Sequence, residues 1–222
     1  MELDWWHERW SKGEIGFHQH DFNKHMQMFM ERLDISPGGH ILVPLCGKSL
    51  DMLWLFEKGY RVTGIEISRQ AVDDFFAENN ISYQVSELPD AFVYTSGELT
   101  IYCADFFTVE LTHSPGIDAV YDRASLIALP PDMRPAYANR LTSLLPEGTR
   151  TLLLTLDYSQ QQMSGPPFSV SPGEVDRLFG EQYDTELLHS EDCLANEPRF
   201  REKGLTKLVE HVFLLHKCSA RP

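Results

Sequence analysis

Ile41-Leu42-Val43-Pro44-Leu45-Cys46-Gly47-Lys48-Ser49, followed further on by Arg61-Val62-Thr63-Gly64-Ile65-Glu66, is the stretch whose reading decides the fold. Ile41-Leu42-Val43 reads as a short buried strand. The apolar run Leu50, Met52, Leu53, Trp54, Leu55 and Phe56, closed by Gly59, predicts a mostly buried helix with a glycine end. Residues 61–66 form a second strand, and Ser68 is placed to cap a helix that runs to Asn79. Strand, helix and strand in this order make one βαβ unit, which calls for a parallel sheet covered by helices.

The same alternation continues outward. Leu99-Thr100-Ile101-Tyr102-Cys103 and Ile117-Asp118-Ala119-Val120-Tyr121 give two more strands. A helix from Arg134 to Leu145 leads to the strand Thr151-Leu152-Leu153-Leu154-Thr155-Leu156, and a further helix starts near Ser171-Pro172, where proline suits the first helical position. Two last strands, around Glu186-Leu187-Leu188 and from Leu208 to Leu215, have no helical pattern between them and are expected to form an antiparallel edge. The first 33 residues stand apart as aromatic, His-rich, helical-looking segments broken at Gly13 and Gly16. There is no internal repeat.

With 222 residues, 42% of them hydrophobic and 23% charged, the chain suits one globular domain spanning 1–222 and excludes wholesale disorder. Nineteen basic residues against 33 acidic ones leave a formal charge of −14, which argues against nucleic acid or an anionic membrane as partner. Cys46, Cys103, Cys193 and Cys218 show no Cys-x-x-Cys pair and read as reduced thiols. The amino-terminal residues have neither a basic region nor an apolar one, and no run approaches the ~20 apolar residues of a membrane span, so a cytoplasmic protein is expected.

Ligands of open α/β sheets bind beyond the carboxyl ends of the strands, which directs attention to residues 43–49 and to Glu66. A Walker A loop would end in Gly47-Lys48-Ser49, but Leu42 stands where its first glycine belongs, and Pro44 offers no N–H to a phosphate. A dinucleotide fingerprint needs three glycines, and one is present. A nucleoside without phosphates, held by Gly47 and by an acid that accepts ribose hydroxyls, fits better, and S-adenosylmethionine is such a ligand.

Five motifs, in order, carry a resemblance: Trp6-x-x-x-Trp10 with Phe17-His18-Gln19, Pro44-Leu45-Cys46-Gly47-Lys48, Gly64-Ile65-Glu66-Ile67-Ser68, Asp122-Arg123, and Gly165-Pro166-Pro167-Phe168. Together they resemble the thiopurine S-methyltransferase family, over a stretch from Trp6 to about Leu215, and the acidic, short chain looks like a bacterial member. The resemblance implies a doubly wound, mostly parallel seven-stranded Rossmann-like α/β methyltransferase fold. Beside it, the aromatic residues 1–33 are read as an amino-terminal helical lid on a core of residues 34–222. The resemblance also implies S-adenosylmethionine as methyl donor and methylation of aromatic or heterocyclic thiols such as thiopurines. Bacterial relatives are further associated with tellurium and selenium compounds.

Carried over residue by residue, the resemblance assigns cofactor contacts to Trp6, Trp10, Leu45 (through backbone), Gly47, Glu66, Asp105 and Phe106. Arg123 is assigned to an anionic or thiolate substrate group and to the cofactor, and Phe17 and Arg199 to substrate. Each has a plainer alternative. Trp6 and Trp10, at i and i+4, also suit a helix face buried on the core, Phe17 a core position, Arg123 a surface salt bridge with Asp122 or Asp118, and Arg199 a solvated loop. The spacings of His18, His20 and His25 fit no zinc site, His211 and His216 fall on opposite faces of a strand, and no metal is expected. Direct in-line transfer to an ionised sulfur requires alignment more than a strong general base, in keeping with the lack of an obvious His–acid pair in the sequence. The expected protein is a monomer acting on a small molecule. The alternatives are a nucleotide-phosphate enzyme that uses Gly47-Lys48-Ser49 and a non-catalytic cofactor-binding protein.

Overall fold

The computed structural model describes residues 8–12, 19, 21–114 and 116–219, in two compact units made of residues 1–121 and 122–222. In the first unit, residues 8–11 are helical, and Asn23 caps α1 (Lys24–Phe29) by accepting from the N–H groups of His25 and Met26. Then come β1 (His40–Val43), α2 (Leu50–Glu57), β2 (Arg61–Glu66), α3 (Arg69–Glu78), β3 (Gln84–Leu88), β4 (Ala91–Ser96), β5 (Leu99–Cys103) and the start of β6 (Ala119–Arg123). The strand order is β3-β4-β5-β2-β1-β6. β1 runs parallel to β2 and β6, and β2 parallel to β5, while β3, β4 and β5 pair antiparallel.

The sequence dictates this centre directly. β1 is buried at all four positions, the pattern of a strand covered on both faces. Ser49 and Ser68 cap α2 and α3 with their hydroxyls, and α3 lays Ala71, Val72, Phe75 and Phe76 on the sheet. Each buried phenylalanine is worth about 1.5–3 kcal/mol relative to exposure. The expected parallel core is present. All seven expected strands are found, and β3 and β4 bring the described total to nine. This hairpin, turned at Pro89-Asp90, has an outer strand that is exposed almost throughout, so it carries no buried apolar rhythm to betray it.

The second unit holds α4 (Arg134–Leu144), β7 (Arg150–Asp157), α5 (Pro172–Phe179), β8 (Tyr183–Asp192), α6 (Pro198–Glu202) and β9 (Val209–Lys217). Its strands run β7-β9-β8, all antiparallel, as the absence of a helix between the last two predicts. A register shift between Leu187 and His189 inserts a bulge into β8. A separate apolar cluster of Tyr158, Met163, Cys193, Phe200, Leu205 and Leu208 packs beside these strands.

Candidate active site

The turn after β1 is built on two left-handed residues, Leu45 at φ 43° and Gly47 at φ 53°. Leucine pays roughly 1–2 kcal/mol for that conformation, a cost that clusters at functional sites. The loop is held against β2 by the Cys46 N–H, which donates to the Ile65 carbonyl over 2.9 Å, and by the buried Cys46 thiol lying over Gly64. A Cβ on Gly64 would come within 2.7 Å of Cys46 Sγ and 3.0 Å of Met52 Sδ, so only glycine admits this packing. Burial, followed by the nearby Glu66 carboxylate, pushes the Cys46 thiol well up, which keeps it an inert packing group.

Glu66 ends β2 and is 6% exposed. One carboxylate oxygen accepts from Gly47 N–H at 2.8 Å and the other from Ser68 N–H at 2.8 Å, so this side chain ties the loop after β1 to the loop after β2. Burial raises its pKa, and the backbone donors at Ser68, Gly47 and Ile67 oppose that shift. With about four lone-pair sites against these three backbone donors, the carboxylate keeps room to accept a ligand hydroxyl. Trp10, also buried, lays its indole against Gly47, with Cζ2 3.2 Å from the place a Cβ would take. The left-handed φ of 53° is what favours glycine at 47, and the neighbour crowding that position is an aromatic ring. Trp6 and Phe17 lie outside the described residues.

Beside Ser68 lies a cleft of about 560 Å³ lined by residues 67–70, 87–92 and 103–105, beyond the carboxyl ends of β2 and β5. Asp105 is in this wall, but its Oδ1 already accepts from Phe107 N–H at 2.9 Å, shaping its own turn. The Phe106 ring is 2% exposed, which leaves its backbone as the part able to meet a ligand. Lys48 and Ser49 are engaged elsewhere. The Lys48 ammonium sits 2.6 Å from Glu78, and the Ser49 hydroxyl accepts from Asp51 N–H. This geometry does not display them to a phosphate. Asp51, which the sequence did not single out, is fully buried and accepts from Asn23 N–H at 2.8 Å and from the Tyr121 hydroxyl at 3.0 Å. It anchors the segment entering α1 to the helix that follows the loop.

In the second unit, Asp122 is fully buried and accepts from the Tyr137 hydroxyl at 2.7 Å, and burial pushes its carboxyl up to about 6. Arg123, the next residue, is half-buried at the end of β6. The Gly165-Pro166-Pro167-Phe168 segment is clamped from several sides. Phe168 N–H donates to the Ile127 carbonyl at 2.7 Å and the Tyr158 hydroxyl to the Pro167 carbonyl at 2.6 Å. Arg134, 1% exposed, donates to the carbonyls of Leu129 and Ser169 and pairs with Glu174 at 2.7 Å. A buried cation that organises two loops left no signal in the sequence pattern. Arg199 stays 43% exposed, 3.2 Å from Glu197 and stacked over the Phe200 ring, an arrangement nearer its solvated alternative.

The sequence shows no His–acid pair, but the fold makes one. β7 and β9 bring His211 Nε2 to 3.8 Å from Asp157 Oδ2, between residues remote in the chain.

A profile of the family described as thiopurine S-methyltransferase matches residues 1–218. The chain belongs to the thiopurine S-methyltransferase family. A protein named thiopurine S-methyltransferase from Pseudomonas fluorescens is 46% identical over 96% of this chain and 98% of its own length. Another of that name, from Nitrosospira multiformis, is 45% identical over 97% of this chain and 98% of its own. Among solved structures, an S-adenosylmethionine-dependent methyltransferase from Anabaena variabilis superposes with a TM-score of 0.65, at 14% identity, over 97% of this chain and 94% of its own. A second, from Methanosarcina mazei, gives 0.63 at 15% identity, over 90% and 100%. The fold is that of the Rossmann-like methyltransferases, and this family member is an S-adenosylmethionine-dependent methyltransferase.

Proposed function

We propose that the chain methylates sulfur in thiopurines and other aromatic or heterocyclic thiols. The observation that carries the site assignment is Glu66, a buried carboxylate strung between the two loop amides and adjoining the 560 Å³ cleft. A ribose edge presented to Glu66 and a base directed into the cleft need no phosphate donors, which matches a loop whose Lys48 and Ser49 are already engaged. When bound, S-adenosylmethionine supplies an electrophilic methyl on a sulfonium. The remaining work falls to the chain's own residues. Leu45 and Gly47 turn backbone toward the ligand, Asp105 and Phe106 border it with turn backbone, and Trp10 closes over Gly47. An aromatic face near a sulfonium is worth about 0.5–2 kcal/mol.

Arg123, at the carboxyl end of β6, holds an anionic or thiolate acceptor group electrostatically, and Trp6 and Phe17 complete the proposed contacts, with Arg199 joining them only once it leaves Glu197. Relatives at 46% and 45% identity that bear the thiopurine name support this acceptor class. Tellurium and selenium nucleophiles, being equally soft, fall within the proposal, as does a monomer working in the cytoplasm. The test is calorimetric titration with S-adenosylmethionine and with ATP, followed by a radiolabelled methyl-transfer screen over thiols, thiopurines, tellurite and selenite. Tight binding of S-adenosylmethionine with label appearing on a thiol is expected. Binding of ATP alone would restore the phosphate alternative, and binding without transfer would leave a non-catalytic cofactor-binding protein.

A further inference from the structure

Thr155 on β7, His211 on β9 and Ser190 on β8 stand directly opposite one another across the three antiparallel strands. The bulge between Leu187 and His189 creates this alignment, since an unbroken ladder would set His189 against His211 and turn Ser190 to the other face. Bulges are common beside active sites, where they re-aim one side chain. Ser190 Oγ lies 2.7 Å from His211 Nδ1. With Nδ1 carrying the proton and donating to Ser190, Nε2 is left with its lone pair.

That nitrogen and the neighbouring Thr155 hydroxyl are both buried polar atoms with no hydrogen-bond partner, and each such group calls for an explanation. Asp157 Oδ2 is 3.8 Å from Nε2, beyond hydrogen-bond reach but close enough to stabilise positive charge there. The Asp157 side chain is 38% exposed and forms the outward end of the group. Its other oxygen accepts from the hydroxyl of Ser169, the residue after Gly165-Pro166-Pro167-Phe168, so the cluster adjoins that clamped segment. The groups that face the imidazole are Asp157 from β7, Ser190 from β8, Lys207 from the approach to β9, and the Phe213 ring on its own strand. Burial and Lys207 lower the imidazole pKa and Asp157 opposes them, which leaves it neutral and able to take a proton at pH 7.

The geometry points to Asp157 and His211 as a proton-accepting pair for acceptors that arrive with sulfur still protonated. This rests on the S-methylation proposed above and goes beyond it by naming where the acceptor's proton goes. The S–H bond breaks and its proton passes to the accessible Asp157 carboxylate; a side-chain rotation that closes the 3.8 Å gap in the loaded protein then lets it come to rest on His211 Nε2. The sulfur lone pair forms the new S–CH3 bond as the sulfonium C–S bond breaks, and the imidazolium later releases its proton to water. Asp157 is the group that meets the acceptor, and His211 acts through it.

Two acceptors separate this role from simple structural support: 4-nitrothiophenol, ionised at neutral pH, and benzyl mercaptan, which is protonated. In His211→Gln and Asp157→Asn, kcat/KM for benzyl mercaptan is expected to fall about 100-fold, while that for 4-nitrothiophenol changes little. The acidic limb of the benzyl mercaptan pH profile should vanish with His211. Ser190→Ala serves as a milder variant and should shift the same limb. A readout independent of turnover is the ring titration of His211 by NMR, assigned by its disappearance in His211→Gln, which should drop by about one unit in Asp157→Asn. Equal losses on both thiols, no loss on either, or a His211 titration indifferent to Asp157 would overturn the pair. Failure of the unaltered protein to methylate any thiol would instead strike the S-methylation reading itself.

Discussion

Replacing Asp122 by asparagine should make the protein's stability less sensitive to pH, by an amount that follows from burial. The carboxyl titrates near 6 in the folded chain against 3.8 ordinarily, because desolvation outweighs the bonds from Tyr137, Leu126 and Ser125. A folded pKa above the unfolded one means that folding resists ionisation. The penalty is absent well below pH 3.8, grows as pH rises, and is complete above about 7. Linkage puts it at about 0.6 kcal/mol at pH 4 and about 3 kcal/mol at pH 8. Asparagine never ionises, so the difference in unfolding free energy between the two proteins should move by about 2.5 kcal/mol in favour of the variant over that range. Its absolute value is offset by the loss of one acceptor oxygen, about 1–3 kcal/mol, because the Tyr137 hydroxyl and Leu126 N–H sit on different oxygens. The pH trend of the difference is therefore the test. Urea unfolding at a series of pH values reads it, and a difference flat between pH 4 and 8 would refute the reasoning.

Three further outcomes are expected. Gly64→Ala should cost about 1–3 kcal/mol in urea unfolding, since a Cβ there would lie 2.7 Å from the Cys46 sulfur, and an unchanged midpoint would show that the loop repacks freely. Arg134→Ala leaves Glu174 without its cation and frees two loop carbonyls, so a loss of about 3–5 kcal/mol is expected, together with a raised acceptor KM in whatever fraction stays folded. An acceptor KM at the original value would detach Arg134 from substrate binding. Glu66→Gln puts a donor amide against either Gly47 or Ser68 N–H, and calorimetry should find S-adenosylmethionine bound at least about 10-fold more weakly. Equal affinity would remove Glu66 from the ligand.

What could be read from the sequence was local or periodic. β1, its loop, α2, β2 and Glu66 form one contiguous stretch, with Ser49 and Ser68 where capping requires a hydroxyl, so pattern alone fixed their arrangement. The hairpin β3–β4 escaped because its outer strand is solvent-facing and has no apolar alternation, although Pro89-Asp90 is a turn signal. Glu66 was legible as the acid that ends the second strand, but its two backbone donors depend on a loop conformation that residue types do not specify. The buried polar groups were hidden for a different reason. Asp51, Arg134 and Asp157 satisfy or orient partners brought close by tertiary pairing, and the sequence shows each as an ordinary charged residue. The partner of His211 depends further on a one-residue bulge in β8.

The central claim is methyl transfer to sulfur, and product analysis tests it most directly. The protein is incubated with methyl-labelled S-adenosylmethionine and 6-mercaptopurine, and the product is resolved by mass spectrometry and NMR. The account predicts a purine one methyl group heavier, with the label on sulfur and S-adenosylhomocysteine formed in equal amount. Label on a ring nitrogen, or S-adenosylmethionine recovered intact from a folded protein that binds it, would contradict it.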